Sequence, residues 1–283
     1  MTTSSPKEIA QEAVDITFTI LLNCCVRELG NSSFYEGVPK YDPVLKSYMS
    51  KYNHELHLKL DFPVDKVEVY APIRYRSETF RHLYDFPVME RDLTTETIKE
   101  IDAERLLELI TTHVRQQYPL ADSKNVKKRM QLSTEKITQF LEHFQASGQE
   151  FNKPEMTFIE AEQLFPAGHL LHPLTKGREG FTEAEVLKYA PETGGQFQLY
   201  YFLVHPDLVT EKSVDAILPS DFAKKAVLEA NNGDKKLHDL LEKYPNWKVI
   251  PVHPWEASHF KSQTVFDTLV KENYLIDLGE FGK

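Results

Sequence analysis

Residues 5 to 30 constrain the fold most. Ser5-Pro6-Lys7-Glu8 supplies a serine N-cap, a proline at the first helical position and a glutamate at the third, the pattern that satisfies free N–H groups reciprocally. Ile9, Ala13, Ile16, Ile20 and Cys24 then recur at helical spacing until Gly30. A helix this long and apolar needs partners to cover it, so the rest of the amino-terminal half must pack around it.

Two alternating segments provide the next piece. Residues 54–60 and 66–76 switch between polar and apolar side chains across a turn containing Pro63 and Asp65, which predicts a half-buried antiparallel pair and a small sheet. Helical periodicity returns over 100–116 and over 133–145, where Ile137, Phe140, Leu141 and Phe144 share a face and Gly148 ends the run. These helices and the first are expected to pack as a bundle. The polar, turn-rich stretch 148–154 is the predicted boundary between region 1–148 and region 149–283. The second region opens with a short helix over 156–165 and a capping box at Thr182-Glu-Ala-Glu185. Strand-prone runs at 196–204 and 247–252 follow, with helical stretches at 220–229 and 234–243 between them. The class is α+β.

A formal net charge of -10 gives no electrostatic footing for nonspecific binding to nucleic acid or to an anionic membrane, so an anion site must be a local cluster of cations. The two cysteines, Cys24 and Cys25, are adjacent on a predicted helix, where successive side chains point about 100° apart and cannot easily bridge. A reduced, cytoplasmic setting fits. Thr17, Thr19 and Asn23 interrupt the apolar run of the first helix and no basic segment precedes it, so no targeting or spanning segment is read there.

The local cluster lies in Gly168 to Gly180, read GHLLHPLTKGREG. His169, His172, Lys176 and Arg178 fall within it beside one acid, Glu179, and three glycines that permit close backbone approach. Lysine offers a point charge, arginine a planar fork, and histidine a donor tunable near neutral pH, a set that suits a phosphorylated or carboxylated anion. Composition leaves other readings open. The segment could be a solvated loop whose cations pair with Glu160, Glu162, Glu183 and Glu185. It could also be half of a metal site completed by His205 or His253, as in a metal-dependent hydrolase, although Lys176 and Arg178 would repel a divalent cation. A second basic group, Arg74, Arg76, Arg81 and His82, reads as a solvated strand edge and loop. No GxxxxGK[ST] loop, strand-linked GxGxxG or GxSxG elbow is present, so a nucleotide would require a less common fold.

The segment GHLLHPLTKGREGF, followed by Tyr189-Ala-Pro-Glu192 and by Pro251-Val-His-Pro-Trp-Glu256, resembles the nonribosomal-peptide-synthetase-independent siderophore synthetases, the aerobactin-synthetase-like family. The family pattern is GHPxHPxxKxRxGF, then YxPE, then HPWQ, and Leu22-Asn-Cys-Cys-Val-Arg-Glu28 is similar to its LLNCYxRE. The resemblance implies a hand-like architecture: a helix-rich thumb with a small antiparallel sheet at 1–148, then a mixed, β-rich fingers region at 149–283, then a palm. It implies ATP and Mg2+ as cofactors, adenylation of a carboxylate such as citrate, and condensation of the acyl adenylate with an amine or alcohol. By the same likeness His172, Lys176 and Arg178 act on the reacting phosphates. Gly168, His169, Gly180 and His253 then help to form the nucleotide-binding wall. Fixed cations that meet the charge developing at the α-phosphoryl group would lower the barrier more than they help ground-state binding. Removing the Lys176 charge is therefore expected to reduce turnover and leave the fold intact.

Leu170 stands where the family has proline, and Glu256 where it has glutamine. The glutamate brings a negative charge that could weaken a nearby anion or draw magnesium. The family's Ser-x-Arg-Thr motif and palm lie beyond HPWQ, so the palm is expected to be missing from this chain. A homodimer, or a carboxyl-terminal half supplied by another chain, would then complete the enzyme. The rival expectation is a truncated, non-catalytic binding or assembly module of the same fold.

Overall fold

The computed structural model describes residues 4–36, 43–52, 56–148, 154–214, 216–231 and 234–281. It divides into two compact units, 1–195 and 196–283. The expected boundary at 148/149 falls inside the first unit. The residues after it are tied to α4 (Ser123–Ser147) through Ser133, Lys136 and Gln139, and the stretch 149–153 lies outside the described residues.

In the first unit α1 (Pro6–Glu28) forms as its capping signals require, with Ser5 accepting from the Glu8 N–H and Glu8 from that of Ser5. The expected strand pair is present as β2 (Leu56–Phe62) and β3 (Val67–Tyr75), but it belongs to a larger antiparallel sheet. The sheet runs β1 (Ser32–Glu36), β2, β3, β5 (Val88–Asp92), β6 (Ile98–Ile101), with β4 (Leu83–Tyr84) also on β3. One face, carrying Leu58, Leu60, Val67, Val69, Ala71 and Ile73, packs against Phe18, Leu21, Leu22 and Cys25 of α1 and against Leu106, Leu107 and Leu109 of α3 (Ala103–Arg115). Full burial of side chains such as Leu58, Leu60 and Leu106 stabilises the unit by roughly 1.5–3 kcal/mol each.

On the other face Tyr70 packs with Leu45 and Tyr48 of α2 (Pro43–Tyr52), a helix absent from the sequence reading. Both faces of β3 are therefore covered around Tyr70, in place of the expected half-buried alternation. The other side of α1 meets α4, where Ile9 and Ala13 contact Ile137 and Leu141 and the Thr17 and Thr134 hydroxyls are 2.8 Å apart. Contacts on opposite sides explain why α1 is apolar over much of its surface. Its length and composition would also allow a membrane crossing, but much of its apolar surface lies in this core.

The second unit is a three-stranded antiparallel sheet, β8 (Lys248–Val252), β7 (Leu199–Val204), β9 (Leu275–Phe281). Side chains alternate along β7. Tyr201 and Leu203 pack on α7 (Pro219–Ala230) and α8 (Lys235–Lys243), whereas Phe202 packs on Ala257 and Phe260 of α9 (Pro254–Lys261) and Phe266 of α10 (Thr264–Lys271).

Candidate functional site

Between α5 (Phe158–Gln163) and α6 (Glu183–Tyr189), residues 164–182 run as successive turns joined by local backbone hydrogen bonds, His172 N–H to the His169 carbonyl and Phe181 N–H to that of Arg178 among them. The Thr175 hydroxyl donates to the Ala167 carbonyl at 2.9 Å and draws the two arms together. Gly168 sits at φ +67°, and a Cβ there would lie 2.9 Å from Cε of Lys176. The close approach of the lysine stem thus requires glycine. Gly180, at φ +88°, turns the chain towards Phe181. From α4, the buried Ser133 hydroxyl accepts the Lys176 N–H at 3.1 Å.

These ties bury Lys176, which is 8% exposed. Its ammonium binds Glu192, whose carboxylate also accepts from Arg178 Nη2 at 3.2 Å through the same oxygen, Oε1. Glu192 is the last residue of Tyr189-Ala-Pro-Glu192. Its short 3-10 turn, Pro191–Thr193, follows α6, and Gly194 closes it at φ +68°. Phe140 of α4 lies under the Arg178 guanidinium, 6.0 Å from it. Among the described residues Glu192 Oε2 is buried without a hydrogen-bond partner. The solvated-loop reading had chosen other acids. Glu160 and Glu185 are occupied as capping-box residues, and Glu183 binds Lys136 and Gln139. Because the pair is buried, removing the Lys176 charge is expected to cost stability as well as turnover, about 3–5 kcal/mol for stripping one partner from a buried ion pair.

The motif histidines share one local device. Nδ1 of His169, His172, His205 and His253 accepts the N–H two residues on, from Leu171, Leu174, Asp207 and Trp255, at 3.1–3.3 Å. In the three His-Pro pairs proline lacks an N–H, so the next free donor is the one that the ring takes. An accepting Nδ1 assigns the neutral ring's proton to Nε2, which becomes a donor suited to an oxygen. No group of three or more metal-ligating side chains occurs among the described residues.

Gly168, His169, Lys176, Arg178 and Glu192 line a cleft of about 540 Å3 together with Arg81, a residue expected on a solvated loop. Glu162 also reaches this cleft. His172 instead lines a neighbouring cavity of about 640 Å3 with Arg27 and Glu28, and His169 touches both. His253 belongs to the second unit, where it caps α9 and meets Phe197 edge-on at 4.6 Å. Trp255 is half-buried and stacks on His259 at 5.7 Å.

The loop carrying Arg81 is not loosely solvated. His82 is 2% exposed, and its Nδ1 accepts the Ser77 N–H at 3.0 Å. Asn23, fully buried on α1, accepts the His82 N–H at 3.1 Å and the Tyr84 hydroxyl at 3.2 Å, and donates to the His82 carbonyl at 3.2 Å. Asn23 in the Leu22-Asn-Cys-Cys motif was the available signal: an amide amid an apolar helical run needs partners.

Residues 157–283 match the IucA / IucC family. The rhizobactin siderophore biosynthesis protein RhbC of Rhizobium meliloti is 30% identical over 278 residues, 97% of this chain and 44% of that protein. The spermidine-citrate ligase of Bacillus anthracis is 24% identical over 281 residues, 98% of this chain and 46% of the ligase. The chain thus spans less than half the length of these relatives. Its fold is similar to that of the ATP-bound aerobactin synthetase IucA of a hypervirulent pathotype of Klebsiella pneumoniae, with a TM-score of 0.65 and 22% identity over 94% of this chain and 44% of that one. With these matches in place, the chain belongs to the IucA / IucC family.

Proposed function

We propose that this chain forms part of an ATP-dependent siderophore synthetase that adenylates a carboxylate, that of citrate or a derivative, and condenses it with an amine or alcohol. The observation that carries this reading is the cleft in which Lys176 and Arg178 are fixed around one carboxylate with His169 beside them. RhbC is a siderophore biosynthesis protein and the Bacillus anthracis relative a citrate ligase, which supports the substrate class. In this reading residues 1–148 correspond to the thumb and 149–283 to the fingers.

The residues fit an anionic nucleotide. Lys176 is held by Glu192 and need not reorganise when charge develops, and Arg178 shares that carboxylate through one 3.2 Å bond, leaving further N–H donors of its fork. His169 adds an Nε2–H. Bound ATP supplies the adenylyl group and pyrophosphate as leaving group. Mg2+ would be held mainly by phosphate oxygens, with Glu162 the acid of the cleft that is not already joined to a cation of the glycine- and histidine-rich segment. His172 and Gly180 act through the shape of the loop, and His253 through the cap of α9. The adjacent, free cysteines support a cytoplasmic setting; burial pushes the Cys24 thiol up to about 11 and the Cys25 thiol higher still, so neither is poised to react.

Isothermal titration of the chain with ATP and Mg2+ tests the proposal through Arg178→Gln, which leaves the Lys176–Glu192 pair in place. At least a tenfold rise in Kd is expected. Equal binding by both proteins, or by neither, overturns the reading for this chain.

A further inference from the structure

We infer that Arg81 is a second oxyanion-binding residue of this cleft, presented by a clamp formed by Asn23 and His82. The inference rests on the function proposed above and concerns a lining residue of the cleft that comes from outside the glycine- and histidine-rich segment.

Charge within the cleft makes the first argument. Lys176 and Arg178 share Glu192, so part of their field is cancelled before an anion arrives. Arg81 lines the same cleft, is exposed, and has no carboxylate partner among the described residues. Its planar fork can take two oxygens of one carboxylate or phosphate side by side.

The second argument is the way Arg81 is held. Asn23 binds both backbone groups of the adjoining His82, so the chain just after Arg81 is fixed from the core of the unit. Before it, the Ser77 hydroxyl accepts the Thr79 N–H at 3.2 Å, and the Ser77 N–H closes the loop on the His82 ring. Phe80, immediately before Arg81, adopts φ +62°, a left-handed conformation that is strained for a bulky residue. A solvated loop has no need of buried anchors at one end and a strained residue beside its arginine. A binding residue does, because a pre-set backbone lowers the entropy lost when the ligand is gripped. Asn23 and His82 are positioning residues here, and Arg81 makes the contact.

Oxyanions from two sources share this chemistry: the carboxylates of the acid substrate and the phosphates of the nucleotide. The test titrates the chain with citrate and, separately, with ATP and Mg2+, comparing wild type with Arg81→Gln, Arg81→Lys and Arg178→Gln. Arg74→Gln is the control, an exposed arginine 3.7 Å from Asp85. Arg81→Gln is expected to raise Kd at least tenfold for one ligand, which identifies the source, with an unchanged melting temperature. Arg81→Lys should restore only part of the loss, since an ammonium cannot replace the fork. If Arg178→Gln weakens binding and Arg81→Gln changes neither titration, the Arg81 assignment fails and the proposed function stands. If wild type binds neither ligand, both fail. A loss with Arg74→Gln equal to that with Arg81→Gln would reduce the effect to general surface charge and also overturn the assignment.

Discussion

The cleft has two basic walls built on opposite principles. In the Gly168 to Gly180 segment the key cation is buried and already joined to a carboxylate, whereas in the loop before β4 the arginine is exposed and only its backbone is anchored. The first arrangement makes the charge part of the fold. The second keeps it available. The number of cations in a segment is therefore a poor guide to how much positive field a ligand meets; what each cation already touches decides that.

The contrast is broken most severely at Glu192. Replacing it with alanine leaves Lys176 buried without its partner, and urea unfolding should show a loss of about 3–5 kcal/mol. Adding Lys176→Met to that variant should recover a substantial part of the loss. Strict additivity in the double-mutant cycle would mean that the pair is not coupled, and the two walls would then differ less than described. Gly168→Ala comes next. It places a Cβ 2.9 Å from the Lys176 stem at φ +67° and should cost about 1–2 kcal/mol, read by thermal or urea unfolding; a neutral effect would show that the lysine stem moves freely.

The smallest effect sharpens the other wall. Burial, and then the charge of Arg76, holds His82 below its ordinary value of 6.5. A group whose folded value is depressed contributes stability above the unfolded value that is lost as pH falls through the folded one. Melting curves should therefore show stability declining below pH 6.5 in a component that His82→Asn removes. An identical slope in the variant would take His82 out of the clamp's pH response. Asn23 and Tyr84 face the same loop but are neutral throughout this range, so Arg76 is the neighbouring charge to control for.

Much of the fold was legible because local interactions determine it. The capping box at Ser5 to Glu8, the run to Cys24 and the β2–β3 pairing across its short turn all depend on contacts close in sequence. The helix over 133–145 was placed but started late: it begins ten residues earlier, at Ser123, where Asp122 caps it by accepting from Lys124 and Asn125, in a stretch rich in lysine rather than apolar residues. Helices α2, α9 and α10 and strands β1, β4, β5, β6 and β9 were missed; α2 because only a few of its side chains meet the sheet, β9 because its Leu-Ile-Asp-Leu-Gly-Glu-Phe run alternates imperfectly around Gly279.

By itself the sequence determined that the chain starts with a long capped helix, that its class is α+β, and that Gly168 to Gly180 concentrates basic groups with a family resemblance. The tertiary structure alone decided that Glu192 neutralises part of that cluster, that Arg81 comes to the same cleft, and that residues 154–195 belong with the first unit. The physical reason is range. Caps and periodicity leave a repeating local signature, whereas an ion pair between separate turns, or an arginine brought in by an asparagine on another helix, exists only once the backbone has closed around the core.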